Sequence, residues 1–337
     1  MIYNNVLELI GNTPIIRLNR VTKDIKALIL AKLESYNPGG SIKDRMALQM
    51  IIDAEKQGIL TPGGTIVEAT SGNAGIGIAL VAIIRGYKAV LVSHDRISYE
   101  KEQILRALGA KVIKTSVHAQ PGTPEHYLEL ARRIARSSPS AIMLGQHSNP
   151  SNSFAHYKTT AEEILEQTQH KVTVFVAGMG TGGTITGVGR RLKEENPSIK
   201  IIGIDPEGSV ISGGPPGHYE VEGIGDDSHI PEALDLSVVD RIVTVSDKES
   251  FEMTRRLAEE EGILVGGSSG ACVAGLLKIS NELTESDVVV VIFADNGEKY
   301  LSKIFSDDWM VRMGYMAEEE VNNSFQETEL MEVDVCD

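Results

Sequence analysis

Cysteine, positive charge and long apolar runs are all scarce in this sequence of 337 residues. Its two cysteines, Cys272 and Cys336, cannot form a disulfide framework or a thiolate metal site. Lys and Arg number 32 against 47 Asp and Glu, a net charge of −15. This balance argues against a nucleic-acid surface, because neutralising phosphates requires clustered Lys and Arg. The apolar run Val288–Ala294 is far shorter than the about 20 residues of a membrane helix.

The N-terminus lacks a basic region followed by an apolar stretch, so we expect no secretory signal and a cytoplasmic protein. The length corresponds to roughly two domains of about 150 residues each. The last segment differs from the rest, because Ala317–Asp337 carries eight acidic residues and no Lys or Arg. We therefore predict an acidic, disordered tail over residues 313–337.

Short runs rich in Val, Ile and Leu alternate along the chain with amphipathic segments. Strands are predicted at Leu28–Leu33, Thr65–Ala69, Ala89–Ser93, Lys111–Lys114, Val172–Ala177, Lys200–Ile204, Arg241–Val245 and Val288–Phe293. Helices are predicted at Arg45–Gln57, Ala74–Ile84, Tyr99–Leu108, Pro124–Ala135, Ser153–Thr168, Ile185–Asn196, Lys248–Glu260 and Gly270–Asn281. This alternation predicts an α/β protein with parallel sheets. Ligands of such proteins bind at the carboxyl ends of the strands, so the loops that follow strands are the candidate sites.

The strand that begins near Val174 ends in a glycine-rich turn, Gly178–Thr184, before a helix. Backbone N–H groups and the helix dipole at such a turn favour a phosphate. Gly178, Gly180 and Gly183 also satisfy the G-x-G-x-x-G pattern, and Asp205 follows at about the distance of a dinucleotide-binding fold. A nicotinamide-dependent oxidoreductase therefore remains an alternative at this point.

A second loop, Asn37–Arg45, contains an Asn-Pro-Gly-Gly turn and places Lys43 near the start of a helix. The helix dipole disfavours a cation there, and partial burial would lower the pKa of Lys43, which suits an imine-forming amine. A solvated lysine is the ordinary alternative. The pair Ser41-x-Lys43 also fits a Ser–Lys hydrolase, although no oxyanion loop accompanies it.

Two further loops follow predicted strands and open helices. In Glu68–Gly77, hydroxyl groups and the amide of Asn73 suit a carboxylate or another anion at a helix N-terminus. In Val265–Gly270, the Ser268 hydroxyl suits a heterocycle nitrogen. Each polar residue taken alone is also explained as a simple helix cap.

In this order, the four loops resemble those of the fold type II pyridoxal-phosphate enzymes, the cysteine synthase and cystathionine β-synthase family. The similarity extends from Ile10–Pro14 to about Trp309. It implies two open twisted-sheet α/β domains, like the tryptophan synthase β-subunit, with pyridoxal 5′-phosphate in the cleft between them. The smaller mobile domain would comprise 36–148, and the larger cofactor-binding domain 1–35 plus 149–312. A homodimer acting on small amino-acid and thiol or sulfide substrates, without nucleic acid or membrane partners, is also implied.

The resemblance assigns roles to the matching positions. Lys43 is implied as the catalytic lysine that holds the cofactor. The other implied cofactor-binding residues are Asn73, Gly180, Thr181, Gly182, Gly183, Thr184 and Ser268. The implied substrate-binding residues are Thr70, Ser71, Gly72, Asn73, Gln146 and Gly223. The eight histidines show no metal-ligand spacing, so no metal is predicted.

The implied reaction is a β-replacement on serine or an activated serine, through an aminoacrylate, in cysteine metabolism. Tyr219–Gly225 and Gly266–Ser268 favour the cystathionine β-synthase type, which joins L-serine and L-homocysteine. Gly297–Ser302 favours the cysteine synthase type, which uses O-acetylserine and sulfide.

Ala74, His147 and the loop Asp226–His229 depart from both patterns. They leave room for diaminopropionate or lanthionine formation. A catalytically silent relative that binds a metabolite or a partner is the remaining alternative.

Overall fold

The computed structural model describes residues 2–95, 97–120 and 122–319, so the predicted acidic tail lies outside the described residues from position 320 onwards. The strands are β1 (Ile15–Arg17), β2 (Leu28–Leu33), β3 (Thr65–Ala69), β4 (Lys88–His94), β5 (Lys111–Thr115), β6 (Ala141–Met143), β7 (Val174–Gly178), β8 (Lys200–Pro206), β9 (Arg241–Val245) and β10 (Val288–Phe293). The helices are α1 (Lys43–Lys56), α2 (Asn73–Arg85), α3 (Tyr99–Ala107), α4 (Tyr127–Arg136), α5 (Pro150–Lys158), α6 (Thr160–Gln167), α7 (Gly183–Glu195), α8 (Asp247–Glu261), α9 (Gly267–Lys278) and α10 (Asp307–Arg312).

The strands form two sheets. One has the order β5-β4-β3-β6 and is parallel throughout. The other has the order β1-β2-β10-β7-β8-β9 and is parallel except at its edge, where β1 runs antiparallel to β2. The predicted α/β class is confirmed, but the expectation of purely parallel sheets is wrong at β1. An antiparallel edge strand on an otherwise parallel sheet is common in α/β folds.

The six-stranded sheet is buried on both faces. Along β10, Val289, Val291 and Phe293 belong to one hydrophobic cluster. The alternate residues Val290 and Ile292 belong to another cluster on the opposite face. Because both faces are covered, the strand has no polar alternation, which is why it reads as a continuous apolar run.

All eight predicted strands are present with small shifts at their ends, whereas β1 and β6 were not predicted. Each of these two strands has three residues, too few for a recognisable pattern. The predicted helix Ser153–Thr168 is instead the pair α5 and α6, interrupted at Thr159. The Thr159 hydroxyl donates to the Ala155 carbonyl at 2.7 Å, and its backbone leaves the helical region. Val265 forms an isolated bridge with Asn296 rather than a strand.

Three of the helices that begin without a side-chain cap follow a glycine. The N-cap residues of α2, α7 and α9 are Gly72, Gly182 and Gly266, and none of these helices has an acidic residue in its first turn. By contrast, α8 and α10 are capped by the side chains of Ser246 and Ser306. The first N–H groups of α2, α7 and α9 are therefore open to a ligand.

None of the helices in the described ranges combines the length and the apolar character that crossing a membrane requires.

Candidate active site

The N-termini of α2, α7 and α9 meet at a cavity. Its lining includes the following predicted site residues: Lys43, Asn73, Gly180, Thr181, Gly182, Gly183, Thr184, Gly223 and Ser268. The structure thus brings together residues from the four predicted loops and from a fifth segment, which contains Gly223. These loops follow or adjoin the carboxyl ends of strands in both sheets, which is where α/β proteins bind ligands.

Lys43 is the first residue of α1 and lines this cavity. Burial lowers the pKa of its amine to about 8. No carboxylate among the described residues forms an ion pair with it, so no opposite charge restores the cationic form. An amine in this setting is available as a nucleophile or as a base near neutral pH.

The turn before α7 requires glycine for two separate reasons. Gly182 has φ +84°, and a Cβ atom there would lie 2.3 Å from the Cβ atom of Leu234. A Cβ atom on Gly183 would lie 2.0 Å from Oδ1 of Asn152. The amide of Asn152 also donates to the Thr181 hydroxyl at 3.0 Å. The turn is therefore packed closely against its neighbours. The N–H groups at the start of α7 face the cavity.

Asn73 is held by a buried polar network. Its Nδ2 donates to Oδ2 of Asp295 at 2.7 Å, and its Oδ1 accepts from Nζ of Lys299 at 2.8 Å. Lys299 also donates to the Gly40 carbonyl at 2.9 Å, and the Tyr300 hydroxyl donates to the same oxygen of Asp295 at 2.7 Å. Asn73 itself lines the cavity, so these contacts hold its amide beside any ligand bound there.

Ser268 lies in the first turn of α9 and is buried. Its hydroxyl has no hydrogen-bond partner within the part of the chain that the structure describes. The next residue, Ser269, instead accepts the backbone N–H of Ala294 at 3.2 Å. Ser268 therefore offers a free hydroxyl to the cavity, whereas Ser269 has a structural contact.

Four predicted substrate-binding residues do not line the cavity: Thr70, Ser71, Gly72 and Gln146. The Thr70 hydroxyl accepts the N–H of Gly72 at 3.2 Å. The Ser71 hydroxyl accepts from the Ser93 hydroxyl at 2.8 Å. Gln146 is buried and donates to the Ala69 carbonyl at 3.5 Å. Their roles as substrate ligands stay predictions.

Glu222 also lines the cavity, a position that the sequence analysis missed. Its carboxylate contacts Nζ of Lys101 at 2.5 Å and Nζ of Lys303 at 2.7 Å. Burial opposes ionisation, but the two cations outweigh it and lower the pKa of Glu222 to about 2. These partners are separated by 121 and 81 residues, so no local pattern indicates them.

His156 lies next to the cavity and is a second residue that the sequence analysis did not identify. Its Nε2 lies 3.4 Å from the Thr184 hydroxyl, and its Nδ1 lies 3.0 Å from the Thr160 hydroxyl. Burial lowers the pKa of His156 to about 3, so the ring is neutral at pH 7. It contacts the glycine-rich turn Gly178–Thr184 by a hydrogen bond rather than by charge.

The alternative of a dinucleotide fold fails at Asp205. That carboxylate is fully buried and accepts the N–H of Ser212 at 2.9 Å. It does not line the cavity, so it is not placed to bind a ribose hydroxyl.

The groups around the cavity fit pyridoxal phosphate. The open N-terminus of α7 suits a dianionic phosphate, and the unpaired Lys43 amine suits an aldehyde. The free hydroxyl of Ser268 and the amide of Asn73, both in the lining, suit the polar atoms of a substituted pyridine ring.

Comparison with known proteins agrees with this geometry. Residues 6–295 match the family model described as pyridoxal-phosphate dependent enzyme. Cystathionine β-synthase of Rattus norvegicus is 48% identical over 323 residues, which cover 94% of this chain and 57% of the rat protein. The corresponding protein of Dictyostelium discoideum is 42% identical, covering 98% of this chain and 67% of that protein. The chain thus spans less than two thirds of the length of the mammalian relatives it matches.

Two solved structures are similar over their whole length. A hydrogen sulfide-producing enzyme of Fusobacterium nucleatum has a TM-score of 0.84 and 40% identity, covering 89% of this chain and 100% of the other. O-ureido-L-serine synthase has a TM-score of 0.85 and 38% identity, covering 93% of this chain and 100% of the other.

Proposed function

The chain belongs to the family of pyridoxal-phosphate-dependent enzymes, and on that premise we propose that it catalyses β-replacement on a serine-type amino acid. The favoured reaction is of the cystathionine β-synthase type and joins L-serine and L-homocysteine. The observation that carries the proposal is the shared cavity, in which the unpaired amine of Lys43 lies with the open N-terminus of α7 and the hydroxyl of Ser268.

When bound, pyridoxal phosphate withdraws electrons from the α-carbon of an amino acid joined to it. The protein supplies position and proton transfer. The N–H groups at Gly183 and Thr184 would anchor the phosphate, and Asn73 would hold the ring in the cavity. Lys43 would hold the cofactor through its amine. Its neutral form, when free, would take the α-proton of the substrate and later return it.

Ser268 directs the reaction towards β-replacement in this proposal. A hydroxyl group is neutral at every relevant pH, so it does not hold a proton on the ring nitrogen as a carboxylate would. By leaving the ring nitrogen without a proton, Ser268 would favour departure of the β-substituent over transamination. The Glu222 carboxylate is committed to Lys101 and Lys303 and takes no part in proton transfer.

The identity of the nucleophile is proposed from the relatives. The chain is 42–48% identical to cystathionine β-synthases over more than nine tenths of its length, which supports homocysteine as the nucleophile. A second candidate is replacement by sulfide or another small nucleophile. It is supported by the hydrogen sulfide-producing enzyme and O-ureido-L-serine synthase, whose whole lengths this chain covers.

The test is an absorbance titration of the purified holoenzyme with L-serine and, separately, O-acetyl-L-serine. A spectral change with L-serine that homocysteine reverses, with cystathionine formed, supports the first proposal. A response to O-acetylserine alone, reversed by sulfide, favours the second candidate. A protein that takes up no cofactor contradicts both. The Lys43→Ala variant should lose turnover, whereas Lys111→Ala, on an exposed strand end, should retain it.

Assembly, location and domain division are part of the same proposal. We propose a homodimer in the cytoplasm, with a mobile domain of 36–148 and a cofactor-binding domain of 1–35 plus 149–312. The four-stranded sheet, whose strands all lie between Thr65 and Met143, supports this division. Small-angle scattering with and without L-serine tests both the dimer and the mobility of the smaller domain.

A further inference from the structure

Three residues that depart from the family pattern come together beside the cavity. His147 follows Gln146 after β6, and Asp226 and His229 lie in the unusual loop after Gly225. One ligand atom from each of the three lies within 4.8 Å of the others. Two segments that are about 80 residues apart therefore contribute to one cluster of metal-binding groups.

The side chains are already close to a coordinating arrangement. Nδ1 of His229 lies 3.3 Å from Oδ1 of Asp226. A tetrahedral zinc site with bonds of about 2.0–2.1 Å separates its ligand atoms by about 3.3 Å. The two imidazole rings have centroids 5.9 Å apart at an angle of 36°. The His229 side chain is 53% exposed, so its ring has room to rotate towards the other two ligands.

The surroundings orient two of the three ligands. Oδ1 of Asp226 accepts the N–H groups of Ser228 and His229, each at 2.9 Å, so the carboxylate is held in place. The carbonyl of His147 accepts the N–H of Ala233 at 2.9 Å, which ties the two segments together. Such outer contacts are typical of residues that orient metal ligands.

One ligand atom also lacks any other partner. Nδ1 of His147 is buried and has no hydrogen bond to any residue that the structure describes. A buried imidazole nitrogen without a partner is unfavourable, because it loses its contact with water and gains nothing in return. A bound cation would satisfy it.

From this convergence we propose that His147, Asp226 and His229 bind one divalent transition-metal ion, with Zn²⁺ as the best match. Two imidazoles and one carboxylate suit zinc and leave a coordination position open. The site adjoins the cavity, because Asp226 follows the lining residues Gly223 and Ile224. The proposal concerns binding of the ion and does not depend on which β-replacement the enzyme performs.

The experiment is calorimetric titration of the untagged holoenzyme with ZnCl₂ in buffer free of thiols and chelators. We expect one ion per chain. The variants His147→Gln and His229→Gln should each weaken binding at least about tenfold, since each loses a ligand. His170→Gln is the matched control, because His170 is exposed and contacts only Glu195 at 2.9 Å. Its affinity should equal that of the wild type.

Binding far below one equivalent, or equal affinities for the wild type and both ligand variants, would overturn the proposal. His229 is on the surface, so its variant should fold even if His147→Gln does not. The absorbance of the bound cofactor then provides an independent check that each variant is intact. Metal analysis after dialysis against ZnCl₂ gives the stoichiometry without reference to activity.

Discussion

Nδ2 of Asn73 and Oδ2 of Asp295 are joined by a 2.7 Å hydrogen bond across 222 residues of sequence. The contact links the start of α2, beside the four-stranded sheet, with the segment after β10 in the six-stranded sheet. Because Asp295 accepts from Tyr300 as well, the carboxylate sets which way the Asn73 amide points. Asp295 thus positions Asn73, the residue proposed to contact the cofactor.

Replacing Asp295 with Asn should lower kcat between about 10- and 100-fold, because a shift of about 1 Å in a positioned group costs about that much. KM should change much less. The absorbance maximum of the bound cofactor should also move, since Asn73 loses its charged acceptor. Asp287→Asn is the control, because Asp287 accepts only from Thr284 and Thr173, in turns away from the cavity. An unchanged spectrum and kcat would show that Asp295 does not orient Asn73.

Gly180→Ala should destabilise the protein by about 1–3 kcal/mol, the usual cost of overpacking. The added Cβ atom would lie 2.6 Å from the carbonyl oxygen of Gly223. Gly214→Ala is the control, since its nearest neighbour would be 3.7 Å away, and we expect a change within about 0.5 kcal/mol. Urea unfolding with the cofactor bound measures both. Equal effects of the two substitutions would contradict the close packing of Gly180.

Uptake of pyridoxal phosphate by the apoprotein should accelerate as pH rises through about 8. Burial lowers the pKa of the Lys43 amine to about 8, so the neutral form that attacks an aldehyde predominates above that pH. The rate is followed by the absorbance of the bound cofactor in stopped-flow mixing. A midpoint near 10.5, the ordinary value, would mean that the amine is solvated. Lys43→Ala should show no such pH-dependent phase.

Lys101→Met should destabilise the protein more than Lys303→Met does. The Lys101 side chain is 1% exposed and also donates to the Tyr300 hydroxyl, whereas the Lys303 side chain is 21% exposed. We expect a loss of about 1–3 kcal/mol for Lys101, because a buried polar partner is left unsatisfied. For Lys303 we expect about 1 kcal/mol or less. Thermal unfolding ranks the two variants, and the reverse order would refute the argument.

The predicted site residues that line the cavity share one property. Gly180–Thr184, Ser268 and Asn73 each stand in a turn between an apolar segment and a helix, so their neighbours in sequence reveal their place in the fold. The eight predicted strands were recognisable for the same reason, because a strand buried on both faces is a continuous apolar run.

The contacts that could not be predicted are long-range. Three of them depend on how separate segments pack. They are the hydrogen bond of Asn73 to Asp295, the ion pair of Lys101 with Glu222, and the cluster of His147, Asp226 and His229. A histidine or a lysine carries no local signal of such a partner. The missed strand β1 is similar, since its three residues are defined by pairing with β2 rather than by their own pattern.

The position of β10 in the larger sheet has a consequence for biosynthesis. Leu28 pairs with Val288, so β2 leaves the ribosome long before the strand that lies beside it. All four strands of the other sheet lie between Thr65 and Met143 and can pair while the remainder is still being translated. The edge of β2 must therefore stay unpaired until β10 has been translated, which makes the nascent chain dependent on protection from aggregation.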